Sequence, residues 1–86
     1  MNKVVITGGT GSLGLALTRH LLTNHLVERL VIFSRDEQKQ ARMYAAYPEH
    51  PAALRFLLGD VRDLDSLRSA MYGCDTVIHA AALKRV

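Results

Sequence analysis

The stretch "VVITGGTGSLG", Val4 to Gly14, constrains this chain more than any other, because four glycines fall within seven positions directly after a short apolar run. Ordered glycine loses more backbone entropy on folding than any other residue, so such a density has a cause. The run Lys3–Thr7 ("KVVIT") reads as a buried strand ended by glycines. From Ser12 the apolar period changes to that of a helix, with Leu13, Ala16, Leu17 and Leu21 expected on one face as far as about Asn24. A strand, a glycine-rich turn and a helix in that order leave unpaired amides at the positive end of a helix dipole. An anion can come close to such a backbone, and a side chain would stand in its way.

The remainder of the chain repeats the alternation. Arg29–Phe33 ("RLVIF") is a second strand of the buried type. Ser34-x-x-Glu37 has the pattern of a capping box and opens a polar helix to about Tyr47, where Pro48 and Pro51 break the chain. Leu54–Leu58 ("LRFLL") is the third strand, ended by Gly59-Asp60. Asp63 or Asp65 caps a short helix, with Leu64, Leu67 and Met71 expected inward and Gly73 as its stop. Thr76–His79 ("TVIH") is the fourth strand. Tyr72 and Cys74 read as packing residues near a turn, and His79 as a core or strand-end histidine.

Apolar strands alternating with helices imply an α/β fold: a parallel, Rossmann-type sheet with helices on both sides. Four strands are fewer than such a sheet usually has, so residues 1–86 are expected to be the first part of a larger nucleotide-binding domain, without its substrate half. A hydrophobic fraction of 49% and a charged fraction of 22% are those of a soluble globular protein. The net charge of +3, spread along the chain, suits a small anionic ligand and falls short of a nucleic-acid footprint. One cysteine, Cys74, allows no internal disulfide, and the four histidines lack metal-site spacing. No stretch reaches the roughly 20 apolar residues of a membrane span. The expectation is a cytoplasmic protein with no membrane, metal or nucleic-acid partner.

The glycine turn fits two related dinucleotide patterns. Gly9 to Gly14 satisfies G-x-G-x-x-G, and Gly8, Gly11 and Gly14 give G-x-x-G-x-x-G. Gly8 allows the tight turn, Gly11 the approach of a pyrophosphate, and Gly14 the close packing of helix on strand. The amides of Thr10, Gly11, Ser12 and Leu13 are then expected to face the phosphates. No Gly-Lys-Ser/Thr sequence follows, which argues against a P-loop.

The end of the second strand decides which dinucleotide is bound. Ser34-Arg35-Asp36 stands there, with Lys39 one helical turn later. Arg35 can form a fork to an adenosine 2′-phosphate, with Ser34 and Lys39 as further donors, which favours NADP over NAD. Asp36 leaves an alternative open, since a carboxylate turned inward would accept from the 2′-hydroxyl of NAD. These same residues could also serve only as a helix cap and a solvated basic face. Asp60-Val61, after the third strand, is expected beside the adenine, with the Asp60 carboxylate accepting from its amino group. Ala80, Ala81 and Ala82 would leave room for the nicotinamide ribose, and Lys84 could reach a diphosphate or hydroxyl.

Taken together, "TGGTGSLG", "SRDEQKQ", "GDVRD" and "AALKRV" resemble the extended short-chain dehydrogenase/reductase family. More narrowly, they are similar to its polysaccharide-biosynthesis branch, typified by UDP-N-acetylglucosamine 4,6-dehydratases. The resemblance implies that Thr10–Leu13 hold the pyrophosphate of NADP. It further implies that Ser34, Arg35, Asp36, Glu37, Gln38 and Lys39 surround the 2′-phosphate, Asp60 and Val61 the adenine, and Ala80 the nicotinamide side. Lys84 would touch cofactor and sugar nucleotide together, and Arg85 stands where these enzymes have a histidine. The implied chemistry is oxidation of a hexosamine at C4, loss of water across C5 and C6, and return of hydride to C6. UDP-N-acetylglucosamine is the implied substrate, and the full-length protein is expected to be a homo-oligomer. The Tyr-x-x-x-Lys pair of this family is absent, since Tyr44, Tyr47 and Tyr72 are followed four positions on by Pro48, Pro51 and Thr76. No catalytic residue is therefore assigned within these 86 residues, and alone they are expected to be inactive. A 4-epimerase of the same family, or a module that binds NADP without chemistry, is the alternative reading.

Overall fold

The computed structural model describes residues 3–8, 10–47 and 53–80. Seven elements alternate along them: β1 (Lys3–Thr7), α1 (Ser12–Thr23), β2 (Arg29–Ser34), α2 (Glu37–Ala45), β3 (Leu54–Leu58), α3 (Leu64–Met71) and β4 (Thr76–His79). The strands form one parallel sheet in the order β3-β2-β1-β4, so the chain crosses back over β1 between β3 and β4. This is the Rossmann-type arrangement that the sequence pattern implies.

Side chains along a strand alternate between faces, and the core divides accordingly. Val4, Ile6, Leu30 and Ile32 point to one face, where they pack with Leu21 of α1 and Met43 of α2. Val5, Val31 and Phe33 point to the other and meet Ala70 of α3, with Leu67 and Cys74 at its margin. Each fully buried branched or aromatic side chain here contributes roughly 1.5–3 kcal/mol, so β1 and β2 form the stable centre. The edge strands differ from the expected buried type. Leu57 and Val77 are 40% and 45% exposed, because α3 alone covers the second face among the described residues, and Leu58, on the first face at the end of an edge strand, is 52% exposed.

The helices also sit at phases other than those expected. In α1 the buried positions are Gly14, Thr18 and Leu21, with Leu17 half-buried against the core, while Leu13 and Ala16 are exposed. In α3 Ala70 is buried, whereas Leu64 and Met71 are exposed. Small residues let each helix axis come close to the sheet, which outweighs burial of one more leucine at the rim. Tyr72, expected to pack, is 85% exposed, whereas Cys74 is half-buried with Sγ directed to the Ala70 carbonyl. Gly73 closes α3 in the left-handed region (φ +76°), as its position after the helix requires.

Gly59 ties the second face to the mouth of the sheet. A Cβ built there would lie 2.6 and 2.7 Å from two atoms of the buried Phe33 ring and 3.2 Å from Ser66 Cβ. The ring is held in the core and cannot yield cheaply. Gly59→Ala is expected to destabilise the protein by about 1–3 kcal/mol through overpacking, read as a lowered thermal midpoint. An unchanged midpoint would show that Phe33 has room to move.

Candidate functional site

At the carboxyl end of the sheet, the turn after β1 faces the ends of β2 and β3. Gly8 takes a left-handed conformation (φ +68°), and its amide extends the β1–β2 ladder to the Phe33 carbonyl at 2.9 Å. The chain then reverses into α1, whose N-cap is Gly11. Among the described residues no hydrogen bond occupies the amides of Thr10, Ser12 and Leu13. The amide of Gly11 is not free as expected: it turns onto the Gly8 carbonyl at 3.3 Å and closes the turn on itself. Gly11 nevertheless lies in ordinary extended backbone (φ −79°), and among the described residues a Cβ there would meet only the Gly8 carbonyl oxygen, at 3.7 Å. Among the described residues nothing sterically requires glycine at this position. A close-approaching ligand would supply that need.

A cleft of about 440 Å³ opens beside this turn, lined by Gly8, Thr10, Phe33, Ser34, Arg35, Asp36, Gly59, Asp60, Val61 and Arg62. Seven of the expected site residues thus come together: Gly8, Thr10, Ser34, Arg35, Asp36, Asp60 and Val61. Thr10 also borders a second groove, between α1 and α2, with Gly11, Ser12 and Lys39. Arg19 and Arg42 stand in the same groove, so Lys39 belongs to a cationic surface adjoining the cleft. Leu13, Glu37 and Gln38 are exposed on the first turns of α1 and α2, and Gly14 is buried where α1 meets the sheet. The Ala80 side chain packs into the core beneath the end of β4. Ala81, Lys84 and Arg85 lie outside the described residues.

The local structure at the end of β2 departs from the expected capping box. Ser34 remains in the strand, because its carbonyl accepts from the Gly59 amide at 2.9 Å. Its hydroxyl accepts from the buried Gln40 side chain, also at 2.9 Å, which leaves its own proton to donate elsewhere. Asp36 caps α2 instead, accepting from the Lys39 amide at 2.9 Å. That bond holds a carboxylate oxygen to the helix end.

Sequence reasoning missed Phe33, Gly59 and Arg62. Phe33 forms the buried floor, Gly59 leaves it space, and Arg62 builds the cleft's outer rim with Arg35. Asp60 Oδ1 accepts from the Arg62 amide at 2.9 Å and from its Nε at 3.2 Å. Asp60 Oδ2 accepts from Arg62 Nη2 at 2.7 Å, from Arg62 Nε at 3.2 Å and from Arg35 Nη1 at 3.2 Å. Arginine N–H groups thus surround the Asp60 carboxylate. The Arg62 side chain and amide, with Arg35 adding to them, hold the Asp60 carboxyl well below its ordinary value of 3.8. Its charge, and any stability the pair adds, is present above that ordinary value and lost only as pH falls through the lowered one. The i+2 spacing of Arg62 after Asp60 was the available signal for this fork.

At the crossover between strands, Thr7 Oγ1 hydrogen-bonds His79 Nδ1, which joins the ends of β1 and β4. Among the described residues no cluster of His, Cys, Asp or Glu could hold a metal ion, and no helix is long and apolar enough to cross a membrane.

A glycine turn entering a helix, at the carboxyl end of a parallel sheet that reverses its strand order there, defines the Rossmann class of α/β domain. Solved short-chain dehydrogenases and reductases share this fold. The structure of Pen from Bacillus thuringiensis superposes with a TM-score of 0.90 at 34% identity, over 99% of this chain and 27% of that one. The UDP-N-acetylglucosamine 4,6-dehydratase (inverting) of Campylobacter jejuni is 46% identical over 84 residues, 98% of this chain and 25% of its own length. The UDP-glucose 4-epimerase of Rickettsia typhi is 45% identical over 86 residues, 96% of this chain and 25% of its own. The family described as polysaccharide biosynthesis protein matches residues 4–86, and the chain belongs to it. It spans about a quarter of the length of the curated relatives it matches.

Proposed function

We propose that residues 1–86 form the NADP-binding part of an enzyme that removes water from UDP-N-acetylglucosamine, leaving a 4-keto-6-deoxy sugar nucleotide. The observation that carries the cofactor reading is the open space at Gly11, where a side chain would clash with none of the described residues and would obstruct a ligand. The amides of Thr10, Ser12 and Leu13, unbonded among the described residues, suit the pyrophosphate, and Arg35 at the end of β2 suits the 2′-phosphate. One oxygen of Asp36 is engaged as the cap of α2 by the Lys39 amide, which favours NADP over NAD without using up its second oxygen. NADP, when bound, supplies reversible hydride transfer at its nicotinamide. This chain's own residues then have three tasks. The turn after β1 holds the phosphates, the β2 end selects the adenosine half, and Phe33 closes the cleft floor to water. Groups that move protons on the sugar are assigned outside these residues, where a Tyr-x-x-x-Lys pair is expected.

The dehydratase reading is favoured by the 46% identity to the Campylobacter enzyme and by the run Ser34–Lys39 together with Gly59–Leu67. A second reading, UDP-hexose 4-epimerase, is favoured by the 45% identity to the Rickettsia protein. Incubating the full-length protein with UDP-N-acetylglucosamine and NADP separates them by mass. A product lighter by one water supports the dehydratase, and a product of unchanged mass with inverted C4 supports the epimerase. Untouched substrate overturns both.

A further inference from the structure

We infer that Gln40 is a positioning residue for cofactor binding: its buried carboxamide fixes the Ser34 hydroxyl so that the Ser34 proton is offered to a phosphate oxygen in the cleft. This rests on the NADP reading above.

The arrangement begins with the cap of α2. Asp36 fixes where that helix starts, and Gln40 follows one turn later, its backbone amide bonded to the Asp36 carbonyl at 3.0 Å. Side chains on a helix lean toward its N-terminus, so the Gln40 carboxamide reaches back to the ends of β2 and β3. It is 7% exposed there, and so is Ser34. Gln40 Nε2 donates to the Leu57 carbonyl at 2.8 Å, to Ser34 Oγ at 2.9 Å and, more weakly, to the Ser34 carbonyl at 3.4 Å. Carbonyl oxygens only accept, so the atom facing them is the amino nitrogen. The same nitrogen directs an N–H at Ser34 Oγ, which is the acceptor in that bond.

A hydroxyl has one proton and two lone pairs. With one lone pair turned to Gln40, the Ser34 proton points away from the carboxamide, and no acceptor for it stands among the described residues. Ser34 borders the cleft, whereas Gln40 stands behind it and outside the lining. A buried donor without an acceptor is costly, and a ligand oxygen in the cleft would relieve it. A phosphate oxygen does so best, because an ionised acceptor forms the stronger bond, while a ribose 2′-hydroxyl offers a neutral one. Gln40 thus sets the direction of a hydrogen bond that it does not itself make.

The test is calorimetric titration of NADP and NAD into the full-length protein, as wild type, Gln40→Met, Ser34→Ala and the double variant, with a thermal midpoint for each. Gln40→Met keeps the length of the side chain and removes its donor, so the carbonyls of Ser34 and Leu57 compete for the Ser34 proton. It is expected to lower the ratio of NADP to NAD affinity about fivefold. In the Ser34→Ala background the same change is expected to leave that ratio where it was. A merely structural role would lower the midpoint with the ratio unchanged, or lower the ratio even without the Ser34 hydroxyl, and either result would overturn the inference alone. A wild-type protein that binds NADP no better than NAD would overturn the cofactor reading and this inference with it. Should Gln40→Met not fold, the side-chain amide signals of Gln40 in a 1H–15N spectrum of the wild type supply the test. They are expected to shift with NADP and much less with NAD, because a phosphate drawing on the Ser34 proton polarises the oxygen that Gln40 faces. Signals that stay in place, or move equally with both cofactors, would overturn the role.

Discussion

Arg35→Ala in the full-length protein is expected to weaken NADP binding about ten- to a hundredfold while leaving NAD within about twofold. The magnitude follows from the loss of a charge-assisted, forked contact, worth roughly 1.5–3 kcal/mol. The asymmetry follows from where Arg35 stands. It lies just past the end of β2 at the rim of the cleft, away from the turn that would meet the pyrophosphate shared by both cofactors. Replacement by lysine should recover only part of the affinity, because an ammonium offers a point charge where the guanidinium offers a planar fork. Equal losses for the two cofactors, measured by titration at one ionic strength, would remove the 2′-phosphate from this position.

Gly11→Ala should do the opposite: it is expected to weaken NADP and NAD alike, by about a hundredfold or more. The new methyl would stand between the phosphoryl oxygens and the amides of Ser12 and Leu13. Two charge-assisted hydrogen bonds of roughly 1.5–3 kcal/mol each are at stake. The fold should survive, since the nearest protein atom is 3.7 Å away and the backbone is extended. Exchanging a glycine N-cap for alanine costs about 1 kcal/mol. A thermal midpoint that scarcely moves beside a collapse of affinity is the expected pair of results. A large drop in midpoint with affinity retained would mean that the glycine serves packing.

The two variants together separate the halves of the site. Arg35 governs the choice between cofactors, and the turn governs whether either binds.

The strand positions were legible in the sequence to within a residue, because short apolar runs flanked by turn, capping or charged residues have few other homes. Helix phase was less so. The expected inner face of α3 ran through Leu64, Leu67 and Met71, yet Asp63 caps the helix and turns Leu64 to solvent, and Ala70 makes the closest approach. Counting leucines overlooks what a small residue gains by letting backbones approach. Ser34 misled for another reason: Ser-x-x-Glu is a capping pattern, but the sheet already uses the Ser34 carbonyl, and Asp36 was free to cap. The glycine turn was readable almost in full, apart from the Gly11 amide, which bonds inward. The arginine–carboxylate hub was not. Arg35 and Asp60 lie far apart in the chain, and only the parallel register of β2 and β3 brings them together.

The account depends on the claim that the amides at the entrance of α1 receive the pyrophosphate of a dinucleotide. The most direct measurement is a 1H–15N correlation spectrum of the labelled full-length protein recorded as NADP is added. The Thr10, Ser12 and Leu13 amide signals should move furthest and saturate with the binding isotherm, while the Gly11 amide, already bonded to Gly8, moves less. If those three stay in place while NADP binds, and the shifts gather instead around Arg19 and Arg42, the dinucleotide lies elsewhere and the claim is wrong.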